Sequence, residues 1–87
     1  MTAKKVTITN PTGLHARPAS DLVALAKTFQ SKISVSNGTK TVNAASVIHI
    51  LTLGVKSGTE IEVVAEGADE VEAVDAIVKF IEELKDW

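Results

Sequence analysis

The sequence has no cysteine and very few aromatic residues, and both shortages exclude whole kinds of site. Without cysteine, the chain can form neither a disulfide framework nor a thiolate metal site. Phe29, Phe80 and Trp87 are its only aromatic residues, so the stacking surfaces that bind single-stranded nucleic acid are not expected. The net charge of −2 provides no basic field for a phosphate backbone either. We therefore predict no direct nucleic acid partner, no metal and no other cofactor.

Long apolar segments are also missing. No apolar run approaches the roughly 20 residues that a membrane-spanning helix needs, and "MTAKKVTITN" has basic residues without the apolar segment of a signal peptide. A soluble cytoplasmic protein without membrane insertion is therefore the expectation. Val, Ile, Leu and Ala, in contrast, are abundant and raise the apolar share to 45%. This share suffices for one packed domain, which we place over residues 1–87.

The spacing of apolar residues predicts four strands and three helices. Alternation indicates strands around residues 6–8, 33–35, 39–43 and 61–63, and Asn37-Gly38 is typical of a hairpin turn between the second and the third. Ser46 is expected to cap a short helix that ends before Gly54. Apolar residues at helical spacing predict two further helices, one before and one after this short helix. Their apolar stripes comprise Ala19, Leu22, Ala26 and Phe29 in the first helix, and Val71, Val74, Ile77, Val78, Ile81 and Leu84 in the last.

The last helix has a candidate start signal, since Asp69 is followed by Glu72 at the spacing of a capping box. The resulting order is β-α-β-β-α-β-α. One sheet whose single apolar face is covered by amphipathic helices accounts for this order. The sequence therefore predicts a two-layer α+β domain.

The stretch "TNPTGLHARPAS", residues 9–20, places His15 and Arg17 where a cluster of turn residues gives way to the first helix. The first N–H groups of a helix have no partner within it, and the helix dipole adds partial positive charge, so such an end attracts anions. Arg17 adds a donor fork suited to phosphate oxygens. Pro18 falls in the first helical turn, where its missing N–H costs little.

This positive environment has a consequence for His15, because nearby positive charge disfavours the imidazolium form and keeps the ring nucleophilic. A phosphoryl group carried on the ring could be held by the backbone N–H groups of Ala16 and Arg17 and then passed on. From these residues alone a simpler interpretation is favoured, in which His15 caps the helix and Arg17 is a solvated charge.

The segment "GLHARPAS", residues 13–20, followed by "VNAASVIHILTLGVKSGTEIEV", residues 42–63, resembles HPr. This is the family of histidine-containing phosphocarriers in the bacterial phosphoenolpyruvate-dependent sugar phosphotransferase system. The resemblance extends over essentially the whole chain. It implies an open-faced β-sandwich, with a four-stranded antiparallel sheet and three helices on one face. It also implies a carrier, not an enzyme that acts alone, and the chain shows no nucleotide motif or second acid–base pair near His15.

The resemblance further implies roles for individual residues. His15 would accept a phosphoryl group on Nδ1 from phosphorylated enzyme I and pass it to a histidine of an enzyme IIA domain, while Arg17 steadies the phosphate and Pro18 fixes the first turn. Ser46 matches the position that an ATP-dependent kinase modifies in many Gram-positive members, which adds a serine kinase/phosphorylase and a transcription regulator as partners. Ala44, Ala45 and His49 depart from the pattern of those members, and a plain N-cap serine fits Ser46 equally well.

The short helix is apolar nearly all round, so some of its side chains should be exposed and mark an interaction site, unless loop packing covers them. By resemblance, the partner-binding face comprises Thr12, His15, Arg17, Ser20, Val47, Ile48, Leu51 and Thr52. Lys27 is expected either to pair with acidic partner residues or to be a solvated lysine. His49 is expected beside this face, without a catalytic role. We expect a monomer.

Two alternatives remain open at this level. The first is a carrier of the nitrogen-related branch of the phosphotransferase family, which "ITNPTGLHARPA" and "NAASVI" resemble about as well. The second is an HPr-like regulatory module that binds transcription regulators without transferring phosphate. Such modules lack the histidine, whereas this chain has both His15 and Arg17.

Overall fold

The predicted order of strands and helices is confirmed. A computed structural model describes residues 1–8, 16–54 and 56–83 (Ala16 by its backbone only), and within them it has four strands and three helices. Along the chain these are β1 (Thr2–Thr7), α1 (Ala16–Ala26), β2 (Lys32–Ser36), β3 (Thr41–Asn43), α2 (Val47–Leu51), β4 (Glu60–Glu66) and α3 (Glu70–Glu82). The strands form one antiparallel sheet in the order β1-β4-β2-β3. The predicted α+β class, an open-faced sandwich, is therefore confirmed.

The strand register gives the sheet one apolar face and one polar face. Val63 of β4 pairs with Val35 of β2, which in turn pairs with Val42 of β3, and all three side chains are buried. Glu62 is the neighbour of Val63 in β4, and its side chain lies on the other face of the sheet. There it opposes Lys5 of β1. Because side chains alternate across a strand, this polar face needs no cover. All the helices can therefore pack on the apolar face.

The helices bury the predicted stripes, with one exception. The buried members are Ala19, Leu22 and Ala26 of α1, Ile50 of α2, and Val74, Ile77 and Ile81 of α3. Phe29, which follows the end of α1, is half-buried against them. The expectation for Val71 was wrong, since its side chain is 57% exposed. The buried stripe of α3 extends towards Ala73, which leaves Val71 on its flank. Leu84 lies outside the described residues.

Asp69 is the N-cap residue of α3, as predicted, but its side chain makes no capping hydrogen bond. Its carboxylate instead accepts hydrogen bonds from the backbone N–H groups of Gln30 at 2.9 Å and Ser31 at 2.8 Å, and from the Ser31 hydroxyl. These donors, with Ser31 first and Gln30 next, lower the pKa of Asp69. The capping-box prediction was therefore wrong, because donors from a distant segment occupy the carboxylate. The result is a link between the start of α3 and the entrance to β2.

Glu70 makes a second link, from α3 to the edge strand β1. Its carboxylate lies 2.8 Å from the amino group of Met1 and accepts a 2.6 Å hydrogen bond from the Thr2 hydroxyl. The amino group and then Thr2 lower the pKa of Glu70 to about 2. Further along, Lys4 of β1 forms an ion pair with Asp75 of α3. These polar contacts thus hold the edge strand β1 to α3.

Gly67 allows β4 to turn into α3 directly against the β2 entrance. Its φ of +154° is rare for residues with a side chain. A Cβ atom at this position would lie 2.7 Å from Ser31 Cα and 2.8 Å from Ser31 Oγ. The first of these is backbone, which cannot move aside without shifting the Asp69 link. The close approach therefore requires glycine.

We expect Gly67→Ala to lower the free energy of unfolding by about 1–3 kcal/mol more than Gly58→Ala, because only the first variant adds a steric clash. Gly58 also has a positive φ, +88°, but a Cβ atom there would meet nothing within 4 Å. Urea unfolding followed by circular dichroism measures both variants. Equal losses of stability would show that the Ser31 contact imposes no constraint.

Candidate functional site

The start of α1 lies where the sequence predicts it. The helix begins at Ala16, the residue that directly follows His15 in the chain. Arg17 and Ser20 are exposed on this helix, whereas Pro18 is fully buried. His15 and Thr12 lie outside the described residues, and their roles stay predictions.

The first turn of α1 has the backbone features of an anion site. The N–H groups of its first residues have no carbonyl four residues earlier within the helix, and Pro18 contributes no N–H at all. Because Pro18 is fully buried, it acts by packing and by fixing its own φ, not by contact with a ligand. Arg17, with its exposed side chain, is the nearest described cation in the chain to this turn.

The second candidate region is α2, whose predicted cap is confirmed. Ser46 has an extended backbone, with φ −129° and ψ 119°, and its hydroxyl accepts a 3.4 Å hydrogen bond from the N–H of His49. Gly54 follows the helix with a φ of +61°, as the sequence predicts. The helices α1 and α2 are in contact, so the fold brings the two candidate regions together although 20 residues of chain separate Ala26 from Val47.

The apolar side chains of α2 divide between the core and the surface. Ile50 and, just past the helix, Leu53 are buried, while Val47 is half-buried against the core. Ile48 and Leu51 are 73% and 39% exposed. The prediction that part of this apolar helix is exposed is therefore confirmed. An isoleucine this exposed beside a second exposed apolar residue is the kind of feature that partners bind.

The remaining predicted site residues are distributed around these helices. Lys27 is exposed but directly follows the last residue of α1, about 15 Å along the helix axis from Arg17. It is therefore not part of a site at the first turn. His49 and Thr52 are exposed, and the Thr52 hydroxyl donates a 2.6 Å hydrogen bond to the carbonyl of His49. These two residues belong to α2 and its C-terminal end.

Two residues near α2 were not predicted from the sequence to belong to this region. Asn37 donates a hydrogen bond from Nδ2 to the Leu53 carbonyl at 3.1 Å, and Lys40 donates one from Nζ to the Thr52 hydroxyl at 3.1 Å. The sequence identifies Asn37 only as part of a hairpin turn. No local sequence signal could have revealed these contacts, because they join residues 12 to 16 positions apart that come together only in the folded chain.

Metal-ligating side chains are dispersed in the described part of the chain. Within residues 1–8, 16–54 and 56–83, no three His, Cys, Asp or Glu side chains are grouped so that they could hold a metal ion. The helices of the same residues are all too short or too polar to cross a membrane.

Comparison with known proteins connects these two regions to a family. Residues 2–83 match the family model described as "PTS HPr component phosphorylation site". The chain belongs to the HPr family. Both candidate regions lie within the matched residues, and the HPr-like fold expected from the resemblance agrees with the sheet and helices described above.

Several HPr relatives are similar over nearly their whole length. The phosphocarrier protein HPr of Buchnera aphidicola is 44% identical, over 98% of this chain and all of its own. The HPr-like protein Crh of Halalkalibacterium halodurans is 42% identical, over 94% of this chain and 98% of its own.

Solved HPr structures have the same fold. HPr-C-His from Thermoanaerobacter tengcongensis has a TM-score of 0.92 and 45% identity, and the match covers 97% of this chain and 94% of that one. An HPr dimer from the same bacterium matches with a TM-score of 0.74 and 46% identity over 94% of both chains. Because the solved structures of the family include this dimer, the monomer stays a prediction for this chain. The single domain over residues 1–87 and the cytoplasmic location also stay predictions.

The division of α2 into an exposed and a buried side can be tested by stability measurements. Ile48→Ala should change the free energy of unfolding by less than about 0.5 kcal/mol, as is usual for surface substitutions. Ile50→Ala should lower it by about 2–5 kcal/mol, because the deletion leaves a cavity in the core. Urea unfolding of both variants provides the comparison. A large loss for Ile48→Ala would mean that this side chain is buried.

Proposed function

We propose that this chain is a phosphocarrier that accepts a phosphoryl group on Nδ1 of His15 from phosphorylated enzyme I. Phosphoenolpyruvate is the ultimate donor, and the group then passes to a histidine of an enzyme IIA domain in sugar uptake. The observation that carries the proposal is the family match over residues 2–83, which includes His15. The beginning of α1 directly after His15 supports it.

In the proposed transfer, the lone pair of Nδ1 attacks phosphorus while the bond between phosphorus and enzyme I breaks. The ring must be uncharged to attack, and the positive end of α1 together with Arg17 favours the uncharged form. The same groups then stabilise the phosphoryl oxygens, with the backbone N–H groups of Ala16 and Arg17 as donors. Transfer to enzyme IIA forms a new bond to phosphorus there and breaks the one to His15. The chain returns to its starting state.

Docking of both partners is proposed to use the exposed side of α2. Ile48 and Leu51 supply exposed apolar area, and the contact between α1 and α2 brings this area to the helix that follows His15. Arg17, Ser20, Val47, His49 and Thr52 would surround it, with Thr12 as a further member and Lys27 at the far end of α1. Because a carrier must release each partner in turn, a small interface suits it.

One relative is named an HPr-like protein and not a phosphocarrier, so an HPr-like regulatory module that transfers no phosphate is the alternative. The carrier is preferred because this chain has His15 and Arg17, the residues on which the proposed chemistry depends. Within carriers, the sugar branch is proposed over the nitrogen-related branch. Parallel assays with enzyme I of each branch distinguish the two, since only the cognate enzyme should phosphorylate the chain efficiently.

We expect His15→Ala to abolish phosphorylation by phosphoenolpyruvate and enzyme I while the circular dichroism spectrum stays unchanged. Phosphorus NMR should detect an acid-labile phosphohistidine in the unmodified chain and none in the variant. His49→Ala is the matched control, because it removes the other histidine, and it should remain phosphorylated. Labelling of His15→Ala would place the modified residue elsewhere.

Regulation at Ser46 by a serine kinase/phosphorylase is a further part of the proposal, with a transcription regulator as an additional partner of the modified form. A phosphate would add a charge of about −1.5 to −2 beside the exposed Ile48. At a helix N-cap an acidic group is tolerated, so the fold should be retained. Docking would then weaken because a charge must be desolvated or opposed at an apolar surface.

We expect Ser46→Asp to raise the KM for this chain in the enzyme I reaction by about tenfold, which corresponds to about 1.4 kcal/mol, with little change in kcat. Ser57→Asp places the same charge at an exposed turn residue outside α2 and should behave like the unmodified chain. Steady-state phosphorylation assays measure both. Unchanged kinetics for Ser46→Asp would argue against docking at this end of α2.

A further inference from the structure

The hairpin of β2 and β3 holds α2 at both of its ends. At the N-terminal end, Asn43 accepts a 2.8 Å hydrogen bond from the Ala45 N–H through its side-chain oxygen, and its carbonyl accepts one from Ser46 at 3.4 Å. At the C-terminal end, Asn37 and Lys40 donate the 3.1 Å hydrogen bonds to Leu53 and Thr52 described above. A single hairpin therefore brackets the helix.

Such external support matters because α2 is only five residues long. Isolated helices shorter than about 12–15 residues are marginal in water, so tertiary contacts must keep α2 in place. Ile50 and Leu53 anchor its buried side. The exposed Ile48 and Leu51 lie on the opposite part of the helix surface, between the two ends that the hairpin holds. The direction in which these side chains point therefore depends on the hairpin as well as on the core.

The orientation of the Asn37 amide is set by its surroundings. Its Oδ1 accepts hydrogen bonds from the N–H and the hydroxyl of Thr39, both at 3.1 Å, and from the N–H of Lys40 at 2.8 Å. Because all of these groups are donors, the oxygen must face them and the NH₂ group must face the Leu53 carbonyl. One amide thus shapes the hairpin turn with its oxygen and holds the end of α2 with its nitrogen.

We propose that Asn37 and Lys40 are positioning residues for partner docking. They act through α2, by fixing its C-terminal end so that Ile48 and Leu51 are presented in one arrangement. Pre-organised surfaces bind more tightly because less conformational entropy is lost on association. The identity of the partner, enzyme I, rests on the proposed function. The physical link between the hairpin and α2 does not, and it can be tested on the chain alone.

Asn37→Asp is the sharpest variant, because it keeps the oxygen that shapes the turn and removes only the donor to Leu53. A carboxylate oxygen would then face a carbonyl oxygen. Asn43→Asp is the matched control. It introduces the same charge in the same hairpin, but the hydrogen bond from Ala45 uses the side-chain oxygen and is therefore kept.

Amide hydrogen exchange measures the link directly. The reporters are three backbone N–H groups of α2 and the turn that follows it. The N–H of Ile50 donates to the carbonyl of Ser46, and that of Leu53 to the carbonyl of Ile50. The N–H of Thr52 donates to the carbonyls of Ile48 and His49. In Asn37→Asp we expect their exchange to accelerate about fivefold relative to α3, the factor that corresponds to one net hydrogen bond. In Asn43→Asp it should stay as in the unmodified chain. Unchanged exchange in Asn37→Asp would overturn the inference.

The docking consequence is measured in the enzyme I reaction. Asn37→Asp should raise KM several-fold at constant kcat, since binding weakens while the chemistry at His15 is untouched. Asn43→Asp is a control for the exchange measurement alone, because its added charge lies beside Ser46, where a charge is itself expected to raise KM. Unaltered KM together with faster exchange would overturn the docking role. If enzyme I fails to phosphorylate the unmodified chain, the proposed function is wrong. The exchange data would still show whether the hairpin of β2 and β3 holds α2 in place.

Lys40→Met provides a second route if Asn37→Asp does not fold. It removes the hydrogen bond to Thr52, and Lys56→Met, at an exposed loop residue, is its charge-matched control. Faster exchange of the Thr52 and Leu53 amides in Lys40→Met alone would support the inference, and equal exchange in the two variants would overturn it.

Discussion

Burial of one face of the sheet is the constraint on which the rest of this protein depends. Val35, Val42 and Val63 form a row across three strands, and an apolar row of this kind must be covered to be stable. Helix α3 contacts β1, β4 and β2, and α1 contacts α2 and α3. Because Ala19, Leu22 and Ala26 of α1 are buried in the same core, core packing places the first turn of this helix. The proposed carrier chemistry at His15 thus depends on the core residues of a helix that begins one residue later.

Hydrogen bonds at the start of α3 define its position on the sheet more closely than apolar burial does. The carboxylates of Asp69 and Glu70 tie the start of α3 to β2 and β1 respectively, and the close approach at Gly67 allows the first of these links to form. Apolar packing alone tolerates small shifts of a helix across a sheet. Directional hydrogen bonds at one end of α3 remove that freedom. These hydrogen bonds therefore fix the start of α3 relative to β1 and to the entrance of β2.

The short helix α2 buries Ile50 in the core but leaves two apolar side chains, Ile48 and Leu51, exposed. Exposed Ile48 and Leu51 form the apolar surface to which we propose that partners dock. A surface of this kind is useful only if its orientation is defined. In our proposal the hairpin provides this definition from outside the helix, through the hydrogen bonds of Asn37 and Lys40. Sequence reasoning assigns Asn37 only to a turn.

The sequence by itself determined the strand and helix order, the covered face of the sheet, the Ser46 cap and the start of α1 near Ala16. Each of these depends on local periodicity or on neighbouring residues. Only the tertiary structure decided that Val71 is exposed, that the Asp69 carboxylate binds Ser31 and not the first turn of α3, and that Asn37 and Lys40 bond to residues at the end of α2. These outcomes depend on partners far away in the chain. Local sequence patterns do not specify which distant donor will form a hydrogen bond with a given carboxylate or carbonyl group.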